Sequence, residues 1–272
     1  MTFGLEWQLI VELLILGLCV GFLAGLLGIG GGMLMVPFMI FVLTSKGMPA
    51  AHVVKMAIAT SLATICFTSV SSVHSHHQRR AVRWDVVKLL APGIVAGSLL
   101  GAQIAKAMPS AILALVFAGF VGFSATQMLL KRKPKPTRQL PARLGMASAG
   151  GGIGLLSALV GAGGAFLSVP FMTWCNVPIH NAVATSAALG FPIALAGTVG
   201  YIIAGWSLPD MPYGAVGFLY LPALVTIAIA SVCTAPLGAR MAHRLNIGQL
   251  QRVFAILLYA LAAYMVYRGL AG

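Results

Sequence analysis

The chain has 272 residues, 60% of them hydrophobic and only 8% charged, with a mean hydropathy of +0.98. Soluble domains carry about 25% charged residues, so a water-soluble fold is excluded and the class is an integral membrane protein. The net charge of +13 does not point to nucleic acid. Its Lys and Arg sit in short segments between long apolar runs, the placement that orients membrane proteins, and no aromatic-plus-basic surface accompanies them.

The first stretch, MTFGLEWQLIVELL, holds Glu6 and Glu12 and no Lys or Arg. It lacks the basic start of a cleavable signal peptide, so the first apolar segment is expected to stay in the mature protein. Charge-free runs then follow at 13–45, 56–73, 89–105, 107–130, 144–179, 181–209, 211–239 and 253–267. About 20 residues cross a bilayer as a helix, so most of these runs are single crossings. The runs at 13–45 and 144–179 are too long for that: each is about 50 Å as one helix, against a hydrocarbon core of roughly 30 Å. Each has a glycine cluster near its middle and a V-P-F-M soon after. Gly loosens a helix and Pro removes a donor from it. The expectation is two shorter helical pieces in each run, joined at the glycines.

These two runs carry an internal repeat. GFLAGLLGIGGGMLMVPFM (21–39) and GLLSALVGAGGAFLSVPFM (154–172) share 11 of 19 positions at an offset of 133. Similar composition alone gives about two. A second match pairs Ala59-Thr60-Ser61 with Ala184-Thr185-Ser186 at an offset of 125. A third pairs Gly101-Ala102 and Phe117 with Gly238-Ala239 and Phe254 at an offset of 137. The chain reads as a first membrane repeat (1–130), a basic cytoplasmic linker (131–143, KRKPKPTRQLPAR) and a second membrane repeat (144–272).

Charge between the spans bears on topology. The segment 79–88 has four basic residues, whereas its counterpart 205–214 has none and carries Asp210. Lys106 alone marks the last connection of the first half; its counterpart holds Arg240, Arg244 and Arg252. Opposite basic bias in equivalent loops is what two oppositely inserted halves show. The expected fold is therefore an all-α polytopic membrane protein of two inverted repeats, each a glycine-broken re-entrant segment plus three transmembrane helices. Eight simple spans with parallel halves is the alternative.

Irregular backbone at membrane depth survives only where protein or a water-filled cavity covers it. A glycine break there bares N–H groups at the start of a half-helix, whose positive dipole end suits an anion. Gly28, Gly30 and Gly31 with Gly161, Gly163 and Gly164 are thus the first candidates for substrate binding; close helix packing is their plainer role. The hydroxyls of Thr60, Ser61, Thr185 and Ser186 are the second set, as donors to an oxyanion or as local helix bonds. Lys55, His180 and Asn181 sit one turn earlier, placed either to attract an anion or simply to reach the interface. His74, His76 and His77 read as a solvated helix end, and no metal site, cofactor or enzyme active site is expected. The four acidic residues all lie near span ends. The carboxylate relay of a cation pump is missing, so a small anionic substrate fits better. Moving an anion out of a negative interior is favoured by about 2.3 kcal/mol per charge per 100 mV. Besides substrate and membrane lipid no partner is implied; self-association stays open.

With its repeated G-x-G-G and V-P-F-M, the following A-T-S and a duplicated layout, the chain resembles the TauE/SafE (sulfite exporter) family of bacterial membrane transporters. The resemblance covers nearly the whole chain. It implies export of small sulfur-containing anions across the cytoplasmic membrane of a bacterium. The second copy is looser, with Ala165 where the first has Gly32, so the two half-sites need not contribute equally.

Overall fold

In the computed structural model, residues 7–27, 31–130, 139–209, 211–242 and 247–271 are described. Gly28, Gly30, Glu6, Asp210, Arg244 and most of the basic linker lie outside them. The helices of the first half are α1 (Trp7–Leu27), α2 (Gly32–Ser45), α3 (Ala50–Gln78), α4 (Trp84–Ala107) and α5 (Ser110–Leu130). Those of the second half are α6 (Arg143–Val160), α7 (Ala165–Trp174), α8 (Ile179–Gly205), α9 (Leu221–Ala242) and α10 (Ile247–Ala271). Both long apolar runs are divided at their glycines, as the repeat predicts. One feature departs from an all-helical reading. Between α8 and α9, strands β1 (Ala215–Val216) and β2 (Leu219–Tyr220) form a short antiparallel ribbon. Its turn holds Gly217 at φ +58°, a conformation that only Gly adopts readily.

Six helices among the described residues are long and apolar enough to cross a membrane, with further short apolar helices beside them. Phe41, Val70, Leu100 and Ile256 are among the large apolar side chains on the outer surface, which suits lipid contact. This is a multi-pass membrane protein. Lipid tails are as apolar as the side chains, so helices associate by close packing, aided by small residues. That is what the two longest interfaces show. In α4, Gly93, Gly97 and Gly101 recur every fourth residue and face Ala147, Gly151 and Leu155 of α6. The two helices therefore run parallel. On the other side Gly17 and Gly21 of α1 lie against Ile227, Ala230 and Ser231 of α9, and Thr234 Oγ1 donates to the Leu18 carbonyl at 3.0 Å. The first helix of each half thus packs on the fourth helix of the other.

The enclosed centre is α3 with α8. The loop after α3 bonds to the first turns of α8: Asn181 Nδ2 donates to the Ala81 carbonyl at 2.9 Å. The ribbon after α8 in turn reaches the first turns of α3, where the Phe218 ring lies 5.9 Å from the His52 ring. Each end of one helix is therefore beside the opposite end of its counterpart, and the two run antiparallel. Within the first half, α1 and α2 fold back on each other. Lys46, at the end of α2, lies 3.7 Å from Glu12, near the start of α1.

Candidate functional site

The second break is described throughout. Gly161 ends α6 at φ +68°, and Gly164 begins α7 at φ +75°. Both are left-handed conformations that cost an L-residue energy. Two such residues three apart turn the chain from α6 into α7 without a long loop. The N-terminus of α7 has no side-chain cap. In the first break, Gly31 starts α2 at φ +66°, likewise uncapped.

The two breaks meet. A Cβ at Gly32 would lie 2.5 Å from the Gly161 carbonyl oxygen and 3.1 Å from Ser61 Oγ. Ser61 Oγ donates to that same carbonyl at 2.9 Å. The Gly161 side faces Val36 and Ile58, and Gly163 lies by Ile65 and Gly190. Ile58, Ser61 and Ile65 are near the middle of α3, and Gly190 is near the middle of α8. The junction is thus deep within the helix pair, where only protein or trapped solvent can cover irregular backbone.

The A-T-S hydroxyls are all buried. Tyr220 N–H donates to Thr60 Oγ1 at 3.1 Å, and Arg83 N–H donates to Thr185 Oγ1 at 3.0 Å. Arg83 immediately precedes α4 and Tyr220 immediately precedes α9, so one bond is the other with the halves exchanged. Each threonine retains its own O–H for donation. The Ser168 hydroxyl has two partners for one proton: Ser186 Oγ at 2.7 Å and the Gly164 carbonyl at 3.0 Å. We expect Thr185→Val to lower stability by about 1–3 kcal/mol, the cost of an unmet backbone donor in a part-buried place. Thr185→Ser keeps the acceptor and restores it. Thr173→Val, which loses only bonds to carbonyls of its own helix, serves as the comparison in thermal melts of purified protein.

Lys55 does not reach for the interface. Only 8% exposed, its Nζ donates to the Lys106 carbonyl at 2.9 Å and lies 5.7 Å from the Phe218 ring centre. A cation in the last turn of α4 also complements that helix's dipole. Asn181 is engaged with Ala81, and His180 is exposed. At the far end of α3, Trp84 Nε1 donates to His77 Nδ1 at 3.2 Å. Arg83, beside it, is held above its ordinary pKa by its bond to the Asp85 carboxylate. Among the described residues no three His, Cys, Asp or Glu gather as a metal site.

Two serines at the second break escaped the sequence reading. Ser157 and Ser168 stand where the first copy has Ala24 and Met35, and both are fully buried. Ser157 Oγ has no hydrogen-bond partner among the described residues. The signal was present in the repeat: hydroxyls appear in one copy where the other is apolar.

Comparison with known proteins agrees with a multi-pass membrane protein. The profile of the family described as Sulfite exporter TauE/SafE matches residues 13–265. A probable membrane transporter protein of Haemophilus influenzae is 34% identical over 253 residues, covering 93% of this chain and 96% of the relative. The probable membrane transporter protein YunE of Bacillus subtilis is 28% identical over 281 residues, covering 96% and 98%. One from Methanocaldococcus jannaschii is 26% identical over 264 residues, covering 96% and 97%. No solved structure matches the chain.

Proposed function

Because the chain belongs to the sulfite exporter TauE/SafE family and is a membrane transporter, we propose that it exports small sulfur-containing anions across the bacterial inner membrane. Sulfite, or a related sulfonate or thiosulfate, is the substrate of this reading. The anion binds between the two glycine breaks, against Gly28, Gly30, Gly31, Gly161, Gly163 and Gly164, with the hydroxyls of Thr60, Ser61, Thr185 and Ser186 around it. His180, exposed at the start of α8, is open to an approaching anion, while Lys55 and Asn181 mainly hold neighbouring segments. Access alternates as one half moves against the other.

The observation that carries this reading is the meeting of the breaks. The start of α2 lies against the bend that joins α6 to α7, between α3 and α8, and the helix N-termini that follow the two breaks suit an anion. The antiparallel course of α3 and α8 supports halves inserted in opposite directions, since these two helices are equivalent in the repeat. The fold-back of α1 on α2 supports a re-entrant segment. Loop charge agrees with both.

Proteoliposomes loaded with sulfite test the reading. Efflux that saturates with internal sulfite and exceeds that of empty liposomes is expected, speeded by an inside-negative potential. Efflux equal to control for sulfite, thiosulfate and sulfonates would remove the named substrates. Flux that never saturates would favour a channel instead.

A further inference from the structure

We propose that the anion is held chiefly at the second break, by the N-terminus of α7 and the hydroxyl of Ser157, and that this half-site takes singly charged oxyanions. The inference rests on the transport reading and narrows it. At the N-terminus of α7, Gly164 and Ser168 are buried and Ala165, Phe166 and Leu167 between them are half-buried. The first N–H groups of any helix lack partners within it, and no side chain caps these. A largely covered end in that state takes a ligand or solvent.

Ser157 gives the independent sign. Its hydroxyl is 0% exposed and has no partner among the described residues. A buried serine inside a helix ordinarily bonds back to a carbonyl one turn earlier. This one instead lies against the helix start, 3.1 Å from where a Gly164 Cβ would stand. An unmet donor in such a place is costly, and an oxyanion oxygen meets it together with the N–H groups of α7. In the first break the corresponding residue is Ala24, so the equivalent hydroxyl is missing from that copy.

Charge class follows from what is absent around the site. Lys55 is the one charged side chain among the buried described residues, and its amine is committed to the Lys106 carbonyl. Among the described residues, this half-site then has a helix dipole, worth about half a charge, and neutral donors. The cost of removing an ion from water rises with the square of its charge, and an unpaired buried ion is already expensive. A single charge is met there; a double charge is not. Hydrogensulfite and alkyl sulfonates belong to the accepted class, while sulfate and fully ionised sulfite do not.

Calorimetric titration of the purified full chain in detergent tests this, with methanesulfonate, sulfate, and sulfite at two pH values either side of neutrality. Methanesulfonate is expected to bind equally at both, sulfite more tightly at the lower pH, and sulfate not measurably. Ser157→Ala weakens methanesulfonate binding about tenfold or more, as for a lost hydrogen bond to a charged group. Its ligand-free melting temperature stays level or rises, because an unmet polar group has gone. Ser157→Thr retains most of the binding. Wild-type affinity in Ser157→Ala, or a lowered melting temperature with unchanged affinity, would overturn this inference while the transport reading stands. Tighter binding of sulfate than of methanesulfonate would overturn the charge class. No binding of any anion by the wild type, together with no efflux from proteoliposomes, would overturn the underlying reading.

Discussion

Gly97→Leu is expected to leave no recoverable folded protein. A Cβ at Gly97 would overlap the Gly151 carbonyl oxygen and lie 2.8 Å from the carbonyl carbon and 2.9 Å from the Gly151 Cα. All three are backbone atoms, so no side chain can swing aside. The helices must part instead, and α4 and α6 touch through glycines over three turns, with Gly93 above and Gly101 below. Ser98 Oγ, bonded to the Gly154 carbonyl at 3.2 Å, would be pulled away with them. Overpacking usually costs about 1–3 kcal/mol when neighbours can adjust. Here they cannot, so the loss exceeds about 3 kcal/mol, a large part of a typical total of about 5–15. In α5, Gly119 meets nothing within 4 Å. Gly119→Ala is expected to be neutral or to add about 0.5–1 kcal/mol through better helix propensity. Size-exclusion profiles and thermal melts of the two variants check the contrast. A monodisperse Gly97→Leu melting like the wild type would refute the account of this interface.

The small-residue face of that interface is legible in the sequence; its partner is not. Gly93, Gly97 and Gly101 have the four-residue spacing of close-packed membrane helices, but the spacing does not say which helix they face. The helix breaks themselves were legible because a run of over thirty apolar residues is too long for one crossing. Their meeting was expected only as a consequence of the repeat, and the contact of Gly32 with the Gly161 carbonyl depends on tertiary packing that no local pattern carries. The A-T-S motif could be found, but not its partners. Arg83 and Tyr220 offer backbone N–H groups, which every residue but proline has, so their identities reveal nothing. The ribbon at 215–220 was hidden for a similar reason: two residues per strand are too few to set a period. Ser157 is the instructive case. In an apolar helix a serine looks like any small packing residue, and only its lack of a partner, visible in three dimensions, separates it from Ser98 or Ser124.

The break glycines have two roles, close packing and exposure of helix ends, and Gly164→Ala separates them. The added methyl group would overlap Ile193 Cδ1 and lie 3.1 Å from Ser157 Oγ. The isoleucine end is flexible and can turn away, so α7 stays seated. At φ +75° an L-residue is strained, which costs about 1–3 kcal/mol, and a protein of ordinary stability survives that. The methyl group, however, occupies the space beside the Ser157 hydroxyl and the open end of α7. We expect a folded variant whose sulfite efflux falls at least tenfold. Gly47 supplies the control: its φ is +72° and a Cβ there meets nothing within 4 Å. Gly47→Ala carries the same backbone strain, in the turn between α2 and α3, without filling the junction. It should lose comparable stability and keep its flux. Equal flux loss in both variants would mean that strain alone disables the protein, and wild-type efflux by Gly164→Ala would move the anion away from the second break. A deep loss in Gly164→Ala alone, at matched melting temperatures, leaves occupation of the space at the start of α7 as its cause.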